Sequence, residues 1–167
     1  MATEIEGKCF GVRRLQGEQE AEACARLMAS SEPWITLGRG YEASLKLMKD
    51  PTREVYVAFV GEELVGFIII LMQEAFTGYI QSLGVAPAWR NKGIGSQLLK
   101  FAEKRIFDET PNVFMCVSSF NKDAKRLYER VGYEVIGELA DYILPGHSEF
   151  LLRKSIAPLA GFKGRSI

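Results

Sequence analysis

Of the 167 residues, 47% are hydrophobic and 25% are charged, which fits an ordinary globular chain with one full core and little room for a second domain. Lys plus Arg equals Asp plus Glu at 21 each, and this neutral balance disfavours a general nucleic-acid binder. Three scattered cysteines, Cys9, Cys24 and Cys116, argue for reduced thiols in a cytoplasmic setting rather than for a disulfide framework or a zinc site, and no metal is expected.

In chain order, "KCFGVRRL" (8–15) predicts a first strand, and "EQEAEACARLMAS" (18–30) a helix with Ala21, Cys24, Ala25 and Met28 on one face. A Pro/Gly-containing turn leads to a shorter helix from about Tyr41. "EVYVAFVGEELVGFIIILMQ" predicts a hairpin turning at Gly61. Its apolar run is too short to span a bilayer, and the N-terminus lacks the apolar core of a signal peptide. A loop at 73–78 precedes a fourth strand, "GYIQSLGVAP", ended by Pro87. A helix over 93–106, a strand over 112–118, a helix capped by Asn121 with Gly132 just past its end, and the strands "YEVIGEL" and "SEFLLRKSI" complete the pattern. The expected fold is α/β or α+β: a mixed, mostly antiparallel sheet of about seven strands with helices on both faces.

One turn stands out. In "VAPAWRNKGIGSQLL", Gly93 and Gly95 weaken a helix where it starts, each by about 1 kcal/mol relative to alanine. Such a turn gathers unpaired N–H groups at the positive end of a helix dipole, lets a ligand approach bare backbone, and has Arg90 and Lys92 beside it. A pyrophosphate would suit it. Neither the P-loop pattern nor the dinucleotide fingerprint is present, since Leu98 stands where a third glycine belongs. Read alone, R-x-x-G-x-G fits either a phosphate cradle or a turn serving chain geometry only.

The surroundings narrow the choice. "LGVAPAWRNKGIG" resembles the acyl-CoA turn of the GNAT superfamily of N-acetyltransferases, and "NKDAKRLYERVGYEVIGE" resembles that family's second signature, N-x-x-A-x-x-x-Y-x-x-x-G followed by Phe or Tyr. Asn121, Ala124, Tyr128, Gly132 and Tyr133 satisfy it. The resemblance spans roughly residues 10 to 155 of a single domain covering 1–167, with a tail at 157–167, and is nearest in look to ribosomal-protein-type N-terminal acetyltransferases.

It implies acetyl-CoA as cosubstrate, lying between two splayed parallel strands around 79–86 and 112–118. Leu83, Gly84 and Val85 would hold the pantetheine arm as an added strand, with the Val85 N–H at the oxyanion. Arg90, Asn91, Lys92, Gly93, Ile94, Gly95 and Ser96 would surround the pyrophosphate, and Asn121 would cap its helix, hydrogen-bond the pantetheine, or both. Tyr128 matches the tyrosine that protonates the departing thiolate. The general base is unassigned: the position where relatives carry a glutamate is Cys116, leaving Glu74 or a water held by Gln81. A site without a strong base suits an α-amine, about a tenth neutral at pH 7, better than a lysine amine.

For the acceptor pocket the resemblance implies the connection between the first two helices and the last hairpin. Trp34 and Tyr41 are candidate walls or staples, Tyr142 and Gln81 candidate contacts, and His147 an exposed loop residue. The expected activity is acetyl transfer to the primary amine of a peptide N-terminus or a small molecule. The alternative is a noncatalytic acyl-CoA-binding module, for which the missing acid at Cys116 is the best argument. No nucleic-acid or membrane partner is expected, and a homodimer is one option for the assembly.

Overall fold

In the computed structural model, residues 3–73 and 75–164 are described. The elements run β1 (Thr3–Ile5), β2 (Lys8–Arg14), α1 (Gly17–Ala29), α2 (Tyr41–Lys49), β3 (Glu54–Val60), β4 (Glu63–Leu71), β5 (Tyr79–Val85), a 3-10 turn (Pro87–Trp89), α3 (Ile94–Phe107), β6 (Asn112–Ser118), α4 (Lys122–Arg130), β7 (Glu134–Ala140) and β8 (Ser148–Ser155). They form a sheet of eight strands in the order β1-β2-β3-β4-β5-β6-β8-β7, antiparallel except where β5 meets β6. The extra strand is β1, whose three residues pair with Lys8–Phe10 and are too few to show a period in the sequence. Glu74, one of the candidate bases, lies outside the described residues, as do 165–167 of the tail.

The central strand explains the apolar run. On β4, Phe67 and Ile69 pack with Cys24, Met28, Trp34 and Met48 from α1, α2 and their connection. Ile68 and Ile70 pack on the opposite face with Leu98, Leu99, Ala102 and Ile106 of α3. A strand covered on both faces has no polar side to alternate with. Full burial of each such side chain contributes on the order of 2 kcal/mol.

The far half of the sheet departs from simple chain order. The last strand, β8, inserts between β6 and β7, so the chain's final hairpin closes that end of the sheet with β7, the earlier strand, outermost. At the rim, β7 leaves Val135, Ile136 and Leu139 exposed.

Candidate active site

The sheet opens where the only parallel pair among the described residues fails. β5 and β6 are in register at Tyr79↔Phe114 and Ile80↔Met115 and nowhere further. On its other edge β5 stays bonded to β4 as far as Val85, with Gln81 bulged out between the pairs Ile70↔Ile80 and Ile69↔Ser82. The Ala86 N–H donates to the Val65 carbonyl at 2.8 Å, which fixes the phase of the ladder. Antiparallel alternation then turns the N–H and C=O of Leu83 and Val85 away from β4 and into the gap. The result is a cleft of about 1320 Å³ through the sheet, larger than the roughly 300–1,000 Å³ of common ligand pockets.

Gly84, between those two residues, is set by packing. A Cβ there would stand 2.4 Å from the Phe67 ring. Ser82, the neighbour on the same face, is buried with no hydrogen-bond partner for its hydroxyl among the described residues, at a cost of about 1–3 kcal/mol that a polar occupant of the cleft would offset.

At the entry to α3, Asn91 (φ 62°) and Gly93 (φ 84°) adopt the left-handed conformation, and no described acceptor lies within hydrogen-bond distance of the N–H groups of residues 91–96. Arg90, Asn91, Gly93, Gly95 and Ser96 line the cleft. Lys92 and Ile94 do not. Lys92 turns outward to Glu6 at 2.7 Å and over the Trp89 ring at 4.7 Å, and Ile94 is buried in the core. Arg90 also departs from the expected pattern of free charge at the turn: its Nε donates to the Val85 carbonyl at 3.1 Å and its Nη2 to Ser31 Oγ at 3.3 Å. Both cations found nearer partners, so the positive character of the turn rests on main-chain donors and the helix dipole. These features fit the diphosphate of coenzyme A: bare amides, no Cβ at Gly95 to add to the Leu127, Leu83 and Val85 side chains around it, and open space at Gly93.

Across the gap, α4 presents Leu127 and Tyr128. Asn121 sits at the N-cap position and its carbonyl accepts from the Lys125 N–H at 3.1 Å, but its side chain caps nothing, which corrects the expected side-chain cap. It lines the cleft instead. Tyr128 is half-buried, with its ring edge-on to Tyr133 at 6.2 Å, and burial pushes its phenol up to about 12.

The opposite wall of the cleft is built on the α1–α2 side. Trp34 is buried against Phe67, with ring centroids 5.8 Å apart, and also lines the cleft, so it serves as staple and wall together. Tyr41 is a staple only: at the start of α2 it packs half-buried against the α1–α2 core and borders a shallow surface patch with Arg26, Ala29 and Ser30, away from the cleft. Gln81 accepts from Arg53 Nε at 2.8 Å, and Tyr142 lines the cleft while two-thirds exposed. His147 is exposed and edge-on to Phe120.

Sequence reasoning missed three groups in this wall. The Tyr79 hydroxyl lies against the Cys116 thiol, and burial raises both pKa values. Arg39 lines the cleft without a carboxylate partner among the described residues, its pKa lowered by burial and then by Arg53. Glu149, only 5% exposed, accepts a 2.5 Å hydrogen bond from Ser118 Oγ, and burial raises its carboxyl above the usual range. Its one signal in the sequence was phase. On β8, Phe150 and Leu152 turn to the α3 side, so Glu149 and Leu151 turn to the other, beside Ser118 and Cys116. No group of three or more potential metal ligands occurs among the described residues, and no described helix is long and apolar enough to cross a membrane.

A mixed sheet parted at one parallel pair, with a glycine turn and a tyrosine-bearing helix on its two lips, defines a cleft of one recognised architecture. A model of the acetyltransferase (GNAT) family matches residues 16–133, and the chain belongs to that family of acetyltransferase enzymes. Its relatives include N-alpha-acetyltransferase 30 of Xenopus laevis, 35% identical over 96 residues that cover 54% of this chain, and an N-alpha-acetyltransferase of Sulfurisphaera tokodaii, 25% identical over 118 residues that cover 63% of this chain and 71% of that protein. The chain spans 35% of the length of the Xenopus protein. Among solved structures, spermidine N-acetyltransferase from Vibrio cholerae in complex with CoA and spermine superposes with a TM-score of 0.69 at 16% identity, covering 87% of this chain and 95% of that one. Aminoglycoside 6'-N-acetyltransferase from Enterococcus faecium gives 0.67 at 21% identity, covering 88% and 97%. At such identities these two establish the fold.

Proposed function

We propose that the protein transfers an acetyl group from acetyl-CoA to a primary amine in a ternary complex, with the α-amine of a peptide or protein N-terminus as the leading acceptor class. The observation that carries this reading is the divergence of β5 and β6 after Ile80 and Met115, which leaves main-chain groups of Leu83 and Val85 facing Tyr128 across an open gap.

In this reading the N–H groups of residues 91–96 hold the diphosphate, and Leu83 and Val85 offer the pantetheine arm the hydrogen bonds of a missing strand. Acetyl-CoA brings an activated thioester. The Val85 carbonyl is tied up by Arg90, whereas its N–H remains to face the oxygen on which charge develops. Tyr128 keeps its proton throughout the neutral range and so arrives as a donor. Donation from a phenol at about 12 to a thiolate of ordinary pKa about 8.5 is uphill by about 5 kcal/mol. Dry surroundings also raise the proton affinity of the leaving sulfur, which narrows that gap.

The relatives named N-alpha-acetyltransferases support a peptide α-amine. A small polyamine or aminoglycoside is the competing acceptor, supported by the names of the structural neighbours. A cytoplasmic setting belongs to the same proposal, supported by three cysteines without disulfides. Thiol release from acetyl-CoA, measured with free-N-terminus peptides, spermidine and an aminoglycoside, tests it. Calorimetric binding of coenzyme A with no amine giving release above hydrolysis would instead establish a binding module.

A further inference from the structure

We propose that Glu149 is the proton acceptor for the incoming amine, an assignment that rests on the acetyltransferase reading above. The position expected to carry an acid, Cys116, holds a thiol lying against Tyr79. Two residues further along β6, Ser118 stands opposite Glu149 on β8, and its hydroxyl donates to that carboxylate at 2.5 Å. The carboxylate is therefore delivered from the neighbouring strand onto the face of the sheet opposite α4, inside the same cleft as Tyr128. That placement puts a proton acceptor on the amine's side of the gap and a proton donor on the sulfur's side.

A lone buried carboxylate is expensive, and a chain keeps one where it has work. Among the described residues Glu149 has no Lys, Arg or His partner, and the titratable group nearest it on β6 is the Cys116 thiol. Ser118 fixes one oxygen by hydrogen bond, and β7 faces it with Leu139. Burial raises its pKa toward neutrality, the direction that improves a general base operating near pH 7.

The proton balance closes with groups on hand. Glu149 takes one proton from the acceptor's ammonium and later returns it to solvent. The nitrogen lone pair forms the C–N bond, the C–S bond breaks, and the sulfur receives the Tyr128 proton. The second proton leaving nitrogen restores the phenol, so the net products are amide, coenzyme A thiol and one proton.

The test uses the full chain and whichever amine of the panel above turns over. Glu149→Gln is expected to bind coenzyme A as the wild type does, lose about a hundredfold in kcat with an acceptor of high pKa, and lose little with hydroxylamine, which is neutral at pH 7. Glu149→Asp should recover part of the rate. Ser118→Ala removes the hydrogen bond that favours the carboxylate, so the acid limb of kcat/KM should move to higher pH. Equal turnover and an unshifted limb in these variants would overturn the role of Glu149 alone. Absence of thiol release in the wild type with every amine would overturn the acetyl-transfer reading first.

Discussion

Ile80 lies level with Met115, and past that pair no residue of β5 has a partner on β6. The gap has a floor with no slack, because Gly84 presses against Phe67. Gly84→Ala would drive a methyl to 2.4 Å from that ring and should destabilise the fold by about 1–3 kcal/mol. Urea unfolding with an unchanged m-value would register it.

Gly93 and Gly95 separate conformation from occupancy. At Gly93 a Cβ meets open space but the backbone is left-handed, so Gly93→Ala should cost about 1–2 kcal/mol of stability without crowding any neighbour. Gly95→Leu has an ordinary helical backbone and instead grows from a Cβ 3.3 Å from Leu127 into the cleft. Coenzyme A affinity measured by calorimetry should fall at least about tenfold in that variant, about 1.4 kcal/mol.

Tyr128→Phe keeps the edge-on ring contact with Tyr133 and removes only the hydroxyl. Turnover should fall on the order of a hundredfold while coenzyme A still binds. Undiminished turnover would reduce the residue to packing.

Acid stability should centre on Glu54. Its carboxylate receives Arg105 at 2.7 and 2.9 Å and the Tyr56 hydroxyl at 2.7 Å, and these outweigh the burial that alone would raise its pKa. The net folded pKa is lowered from 4.5. The stabilisation is therefore present above pH 4.5 and lost as the pH falls through the lower folded value. Glu54→Gln should cost about 2 kcal/mol at pH 7 and flatten the acid limb of a melting-temperature profile.

Much of the fold was legible because its signals are local. The continuous apolar run of β4, the glycine turn and the amphipathic face of α3 are each readable within their own segment, and residues 79–80 and 114–115 fall in strands recognisable from sequence. Side-chain direction was less legible. Lys92 and Arg90 looked like charges for a phosphate until Glu6 and the Val85 carbonyl proved nearer. Tyr41 read equally as a pocket wall or a staple because an aromatic beside a turn does not disclose which side of α2 it takes, and packing against the α1–α2 core decides for the staple. Glu149 was hard to see as a cleft residue for a different reason: phase on β8 gives its face, but its place depends on β8 pairing with β6, a contact between segments some thirty residues apart (Ser118 and Glu149 differ by 31).

The insertion of β8 between β6 and β7 has a consequence for biosynthesis. While residues 148–155 are still within the ribosome, β6 lacks its antiparallel neighbour, β7 has nothing to bond to, and the Ser118 hydroxyl lacks the carboxylate it meets in the finished sheet. A nascent chain halted short of Ser148 could already display the glycine turn and the α4 tyrosine, yet its chemistry would wait for the closing strand to thread into place.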